Sequence, residues 1–366
     1  MLLPKLKIGD LVVDKPIIQG GMGVGISLSG LAAAVANEGG IGVISSVGLG
    51  FLKGERNKKE YSSNAHYLRQ EIKIAKNSSS SGAIGVNIMV AISDFDDLVR
   101  ASIEEKADII FAGAGLPLSL PGLVQSIDKN TKTKLGVIVS SARAANIICR
   151  SWQKKFEYLP DVVVVEGPKA GGHLGFSPEQ IENPQFSLEK IIPEVVATVK
   201  SYFEKYNKQI PVIAAGGIFT GQDIYRFMRL GARGVQMGTR FVATDECDAN
   251  TEFKQKFVDC KKEDVTIIKS PVGLPGRAIL NDYITQIREG IKKPFSCPWK
   301  CLKTCTFKDV PYCIANALIS AQKGIMDNGF AFAGSNAYLV DKIVSVKELF
   351  SELKDEFDNS ALYLST

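Results

Sequence analysis

Short runs of apolar, mostly β-branched residues alternate along this chain with stretches whose apolar positions recur at helical spacing. The clearest run is Val162 to Val165, set between Asp161 and Glu166. Four consecutive valines are too few for a helix and have no polar alternate, which predicts a strand buried on both faces. Seven further runs read the same way: Pro16–Gly20, Ile41–Ser45, Ala83–Val90, Asp108–Ala112, Leu135–Ser140, Ile210–Ala215 and Gly234–Gly238. Between them lie predicted helices at Leu31–Asn37, His66–Lys76, Asp94–Lys106, Ala142–Arg150 and Gly221–Leu230, the third with Leu98, Ala101 and Ile103 at helical spacing. Eight strands alternating with helices in about 240 residues is the count of an α/β (β/α)8 TIM barrel. A doubly wound sheet also alternates, but it has fewer strands and one dominant switch point. Here a polar residue or glycine follows nearly every strand, at Gln19, Asn87, Ser140, Glu166, Gly216 and Thr239. That spreads chemistry around a ring, as a barrel mouth does.

After the eighth strand the alternation stops. The expected division is a barrel over residues 1–245, an inserted helical subdomain over 246–330, and a C-terminal segment and helix over 331–366. Ser270 to Asn281 reads as a Pro/Gly loop leading into a helix, with further helices at Pro311–Met326 and Val346–Phe357. These predict a helical subdomain at the barrel mouth.

Composition narrows the class. A chain of 366 residues with 45% hydrophobic and 23% charged positions has ample material for a globular core. A net charge of +5, scattered along the chain, argues against nucleic acid and allows only mild attraction to anionic ligands. No apolar run approaches the ~18 residues of a membrane span, and the run from Met1 to Lys7 lacks a signal-peptide core. A cytoplasmic location is expected. Seven cysteines are an odd number, and Cys297, Cys301, Cys305 and Cys313 crowd together, unlike a secreted disulfide pattern. The first three would share one face if helical, and their spacing allows zinc without demanding it. Free thiols are the reading adopted, with no metal expected.

The candidate chemistry begins with His173, one of two histidines. It follows the valine strand within a loop carrying Gly167, Gly171, Gly172 and Gly175, where α/β proteins place reactive groups. His66 falls in an amphipathic helix and reads as solvated or packed. Ala214 to Ile218 and Gln236 to Arg240 each end a strand on glycine. One such loop would be a tight turn; two in adjacent units form the usual phosphate cradle of a barrel.

The residues Gln19-Gly-Gly-Met22, Gly85-Val-Asn-Ile-Met89, Gly113-Ala-Gly115, Glu166 to Gly175, Pro211 to Ile218 and Val235 to Phe241 span the whole barrel. On them the chain resembles the nitronate monooxygenase (2-nitropropane dioxygenase-like) family, which includes enoyl-ACP reductase II-like enzymes. The resemblance implies FMN as cofactor, with Gly20, Gly21 and Met22 against the flavin ring and Asn87 and Ser140 as polar neighbours. It implies Gly171 and Gly172 at the flavin, His173 as the active-site histidine, and Glu166 as a ribityl or ring partner or a brace of the loop. Ala215, Gly216, Gly217, Gln236, Gly238 and Thr239 match the phosphate cradle, and Met237, at a strand end, is placed for flavin contact. Arg277 would meet an anionic substrate or nicotinamide phosphate, or form a salt bridge. The leading expectation is oxidation of alkyl nitronates with O2 to carbonyl compounds and nitrite. The alternative is an NAD(P)H-dependent reductase of enoyl-ACP or quinones, with acyl carrier protein as partner in the first case. A homodimer is the assembly considered. A non-catalytic phosphate sensor is disfavoured by the His173 loop.

Overall fold

The computed structural model describes residues 3–54, 60–293, 295, 297, 300–303, 305, 306 and 308–363. An antiparallel hairpin, β1 (Leu6–Ile8) and β2 (Leu11–Val13), opens the chain. Six parallel strands follow: β3 (Ile17–Gln19), β4 (Ile41–Ser45), β5 (Ala83–Met89), β6 (Ile109–Gly113), β7 (Lys134–Val139) and β8 (Val162–Glu166). A two-residue strand, β9 (Gly172–His173), lies outside the barrel; β10 (Val212–Ala215) and β11 (Gly234–Met237) complete it, β11 closing on β3. This is the (β/α)8 barrel expected from the alternation.

Strand alternation sorts the side chains. Val162 and Val164 pack inside the barrel with Ile18, Val43, Phe111 and Ile213, whereas Val163 and Val165 belong to the outer core beneath the helices. The unbroken valine run is thus explained by burial on both sides. Leu6, Ile8 and Val13 join the interior cluster, so the N-terminal hairpin, which the sequence reading missed, plugs one end of the barrel. Its strands are three residues each, too short for a periodic signal.

Closure needs side-chain help where β3 meets β4, because only Ile18 and Ile41 are in register there. The Gln19 amide substitutes for the missing ladder: its Oε1 accepts from Val43 N at 2.9 Å and its Nε2 donates to Val43 O at 3.2 Å. Gln19, polar at a strand end, is therefore fully buried wall.

The C-terminal helix Val346–Tyr363 docks on the helix Gly221–Arg229 through Gly221. A Cβ there would lie 2.1 Å from Leu353 O and 2.4 Å from Phe357 N, so only glycine allows the approach.

At the mouth the structure adds sheet to the expected helices. β12 (Val265–Lys269) and β13 (Pro275–Ile279) form an antiparallel hairpin, and β13 pairs onward with β9. The stretch read as a Pro/Gly loop is therefore strand from Pro275. Gly273, at φ +85°, makes the turn, and Pro275 is tolerated as the first residue of its strand. The helix expected from Pro311 runs over Ile314–Gln322, with Cys313 at its N-cap. Cys301 and Cys305 lie in irregular backbone, not on a helical face. Pro298, Trp299 and Thr304 of that run, Met1 and Leu2 of the N-terminal run, and residues 364–366 lie outside the described residues.

Candidate active site

At the C-terminal ends of the barrel strands lies a cavity of about 730 Å³, within the ~300–1,000 Å³ of small-molecule sites. All sixteen residues expected at the site line it: Gly20, Gly21, Met22, Asn87, Ser140, Glu166, Gly171, Gly172, His173, Ala215, Gly216, Gly217, Gln236, Met237, Gly238 and Thr239. His66 does not; it is exposed on its helix beside Gln70 Nε2 at 3.0 Å.

The His173 segment is held far more firmly than a loop. His173 is in register with Gly276 and Gly172 with Arg277, and Leu174 N donates to Pro275 O at 2.9 Å. The imidazole Nε2 lies 2.7 Å from Ser270 Oγ, and Phe332 packs against the ring at 5.0 Å between centroids. Burial lowers the His173 pKa to about 4, so the ring is neutral at pH 7. Of the roles open to it from sequence, a cationic donor is absent in this state. Ser140 Oγ donates to Gly175 O at 3.1 Å, tying the far side of the segment to β7.

Of the two roles expected of Arg277, the salt bridge is present, to Glu182, but most of its bonding lies elsewhere. Its guanidinium is buried, and Nη1 donates to Pro168 O at 2.5 Å and Ala170 O at 2.9 Å. Glu182 approaches only to 3.9 Å and is itself exposed. Arg277 is a brace under the His173 segment and does not line the cavity. Asn281 is likewise structural: its Oδ1 accepts from Ile284 N at 3.1 Å and its Nδ2 donates to Gly329 O at 2.8 Å.

Two glycines of the mouth stand where a side chain would intrude. A Cβ on Gly171 would sit 2.6 Å from the Ala333 carbonyl carbon, and one on Gly216, at φ +94°, 2.9 Å from Ala170 N. Residues 332–336, unrecognised from sequence, stitch these loops together. Gly334 N donates to Thr239 Oγ1 at 3.0 Å, Ser335 N to Lys169 O at 3.0 Å, and Asn336 Nδ2 to Gly217 O at 2.9 Å. The only available signal was the small polar triplet Gly334-Ser-Asn336.

Three polar side chains facing the cavity, Asn87, Glu166 and Gln236, have no hydrogen-bond partner among the described residues. Glu166 ends β8 in register with Ala215 of β10, which is in register with Gln236. Desolvation pushes the Glu166 carboxyl up to about 7. The cavity edge also holds Asp94, raised by burial, whose Oδ2 accepts from Asn64 Nδ2 at 2.7 Å. The remaining lining is largely apolar, with Val272, Leu274, Ile314, Leu318 and Phe332 contributed by the chain beyond the barrel strands. Cys301 reaches the cavity too. Burial first, then the neighbouring thiols of Cys313, Cys297 and Cys305, push its pKa up to about 12. All seven cysteines are free, and among the described residues no three metal-binding side chains are grouped to hold one ion.

A closed barrel with a deep, glycine-lined cavity at its C-terminal mouth defines a (β/α)8-barrel enzyme. The nitronate monooxygenase family model matches residues 5–356, and the chain belongs to that family of flavin-dependent oxidoreductases. Probable nitronate monooxygenases of Staphylococcus saprophyticus and Staphylococcus aureus are each 27% identical, over 306 and 308 residues. These alignments cover 77% and 76% of this chain and 80% and 79% of those proteins. FabK of Thermotoga maritima superposes with a TM-score of 0.74 at 28% identity, covering 96% of both chains. Nitroalkane oxidase of Streptomyces ansochromogenes, at 20% identity and a TM-score of 0.72 over 96% of this chain and 98% of its own, shares the fold. No helix among the described residues is long and apolar enough to cross a membrane.

Proposed function

We propose that this chain is an FMN-dependent oxidoreductase acting on an extended apolar substrate, with NAD(P)H-dependent reduction of an enoyl thioester as the favoured reaction. The observation that carries the choice is the apolar wall of Val272, Leu274, Ile314, Leu318 and Phe332 above the glycine-lined floor. Such a wall suits an acyl chain; a short alkyl nitronate has little to bury there. The reading therefore reverses the order expected from sequence. Oxidation of alkyl nitronates by O2 to carbonyl compounds and nitrite is the second reading, supported by the family model and the names of the curated relatives.

The site fits FMN on its own residues. Asn87, Glu166 and Gln236 offer uncommitted polar groups at the floor, and the loops at Gly216-Gly217 and Gly238-Thr239 border the cavity with glycine, leaving room for a phosphate. FMN, when bound, supplies reversible two-electron redox chemistry. The chain positions the substrate, excludes water through the apolar wall, and presents neutral His173 at the substrate side. Held by Ser270 at 2.7 Å, His173 orients a polar substrate group or passes a proton. In the reductase reaction one nicotinamide hydride and one proton are consumed for each C=C saturated.

The test is anaerobic mixing of the holoenzyme with NADH, NADPH or an alkyl nitronate, following the flavin absorbance. Bleaching by a nicotinamide, then recovery of colour on adding a medium-chain enoyl thioester, is expected. Bleaching by nitronate with no response to either nicotinamide would replace the reductase with the nitronate reading.

A further inference from the structure

We propose that Glu166 grips the flavin as a neutral carboxylic acid, so that above neutral pH the binding of FMN carries a proton onto the chain. The inference rests on the FMN reading and goes beyond it by assigning a protonation state to one of the site's polar groups.

Strand geometry places the carboxyl. Val162 and Val164 face the barrel interior, and Glu166, two residues further on the same face, extends that row into the cavity floor. Its neighbours in register are Ala215, which brings no charge, and beyond it the neutral Gln236. No hydrogen bond or ion pair to a described residue satisfies the carboxyl.

The surrounding charges do not supply a counter-ion. Arg277 is committed to the carbonyls of Pro168 and Ala170, and His173 is neutral at pH 7. The Lys169 stem lies over Gly217, its Cβ 2.8 Å from where a Cβ of that glycine would be. Lys208 pairs with Asp161 at the opposite end of β8, and Lys134 with Asp10 at the start of β7. β10 has no titratable side chain, nor does the stretch 332–336. On the helix Leu188–Tyr206, which packs against β8 and buries Leu188, Ile191 and Val195, Lys190 and Glu194 are exposed and Glu189 faces Arg226.

A carboxyl so placed resists ionisation, and desolvation alone pushes it up to about 7. Covering the cavity removes the remaining water and strengthens the preference for the neutral form. A neutral acid can also donate a hydrogen bond to a ring or ribityl oxygen, which a carboxylate cannot. The balance is simple: above the carboxyl's pKa, ionised chain, FMN and one proton combine to give the protonated complex.

The test reads binding, not turnover. Holoenzyme is diluted at pH 7, 8 and 9, and released FMN is measured by its fluorescence. Over this window the phosphate is already dianionic, because its second pKa is about 6. The wild-type Kd is expected to weaken by up to about tenfold per pH unit. Glu166→Gln, an amide of the same shape that keeps a donor and loses the titration, should bind FMN with a Kd that barely changes over this range. A flat wild-type profile, or an equal slope in Glu166→Gln, would overturn the proposal. Should the variant not fold, proton uptake on adding FMN to flavin-depleted wild type at pH 8 in weak buffer decides: close to one proton supports it, none refutes it. Failure to bind FMN at any pH would instead bring down the cofactor reading itself.

Discussion

Replacing Arg277 by Met separates a structural brace from a ligand-binding cation. Met keeps an apolar stem of similar reach and deletes the donor that serves both Pro168 O and Ala170 O. Hydrogen bonds to charged groups are worth roughly 1.5–3 kcal/mol each, so the gross loss is about 3–6 kcal/mol. Part of this is offset because the native fold must keep a guanidinium out of water, as the lowered pKa of Arg277 records. A net destabilisation of roughly 2–4 kcal/mol is expected. The exposed Glu182 at 3.9 Å adds little. Urea denaturation should show a lower midpoint at an unchanged slope. Because the brace lies beneath the His173 segment, turnover with any substrate should fall while the ratio of kcat/KM for NADH and NADPH stays constant. A wild-type midpoint together with selective loss of NADPH or of an anionic substrate would refute the brace and restore a ligand-binding role.

Replacing His173 by Asn should leave FMN bound and slow the substrate step by about 10²–10⁴-fold in rapid mixing, the usual worth of general acid–base assistance; loss of FMN in place of rate would make it a cofactor-positioning residue. His173 also shapes stability against pH. Its folded pKa of about 4 lies below the ordinary 6.5, so between these values the unfolded chain binds the extra proton and stability rises with pH. Glu166, raised from 4.5 to about 7, contributes the opposite slope over that window. Denaturation midpoints from pH 4 to 7 should therefore fall less steeply on acidification in His173→Asn than in wild type, and identical profiles would contradict the burial argument. Gly221→Ala should cost roughly 1–3 kcal/mol by overpacking and speed proteolysis of the C-terminal helix, since its Cβ would meet Leu353 O at 2.1 Å; unchanged cleavage would show that the helix docks elsewhere.

Much of the barrel was legible because its strands are buried on both faces and so read as unbroken apolar runs, Val162–Val165 above all. The residues lining the cavity were legible because a barrel mouth is built from strand-end letters, many of them glycine. What escaped the sequence depends on contacts between distant segments. Pro275–Ile279 pairs with Gly172–His173 across a hundred residues, and nothing in a Pro- and Gly-bearing stretch announces that partner. Arg277 was open to an anion contact or a salt bridge, and its bracing role was hidden because its two carbonyl acceptors are backbone groups, invisible in the side-chain pattern. Gly334 to Asn336 bridge the His173 segment and the loops at Gly217 and Thr239 through main-chain and side-chain bonds of the same kind. Gln19 is another such case: a polar letter at a strand end that repairs the barrel wall.

The most direct test of the account is the identity of the cofactor carried by the purified chain. Under the proposed function, Asn87, Glu166 and Gln236 at the floor and the two glycine-ended loops would together hold one flavin mononucleotide. The protein should be yellow, and on denaturation should release FMN, identified by mass, at close to one per chain. Release of FAD, or a colourless protein that FMN does not reconstitute, would contradict it.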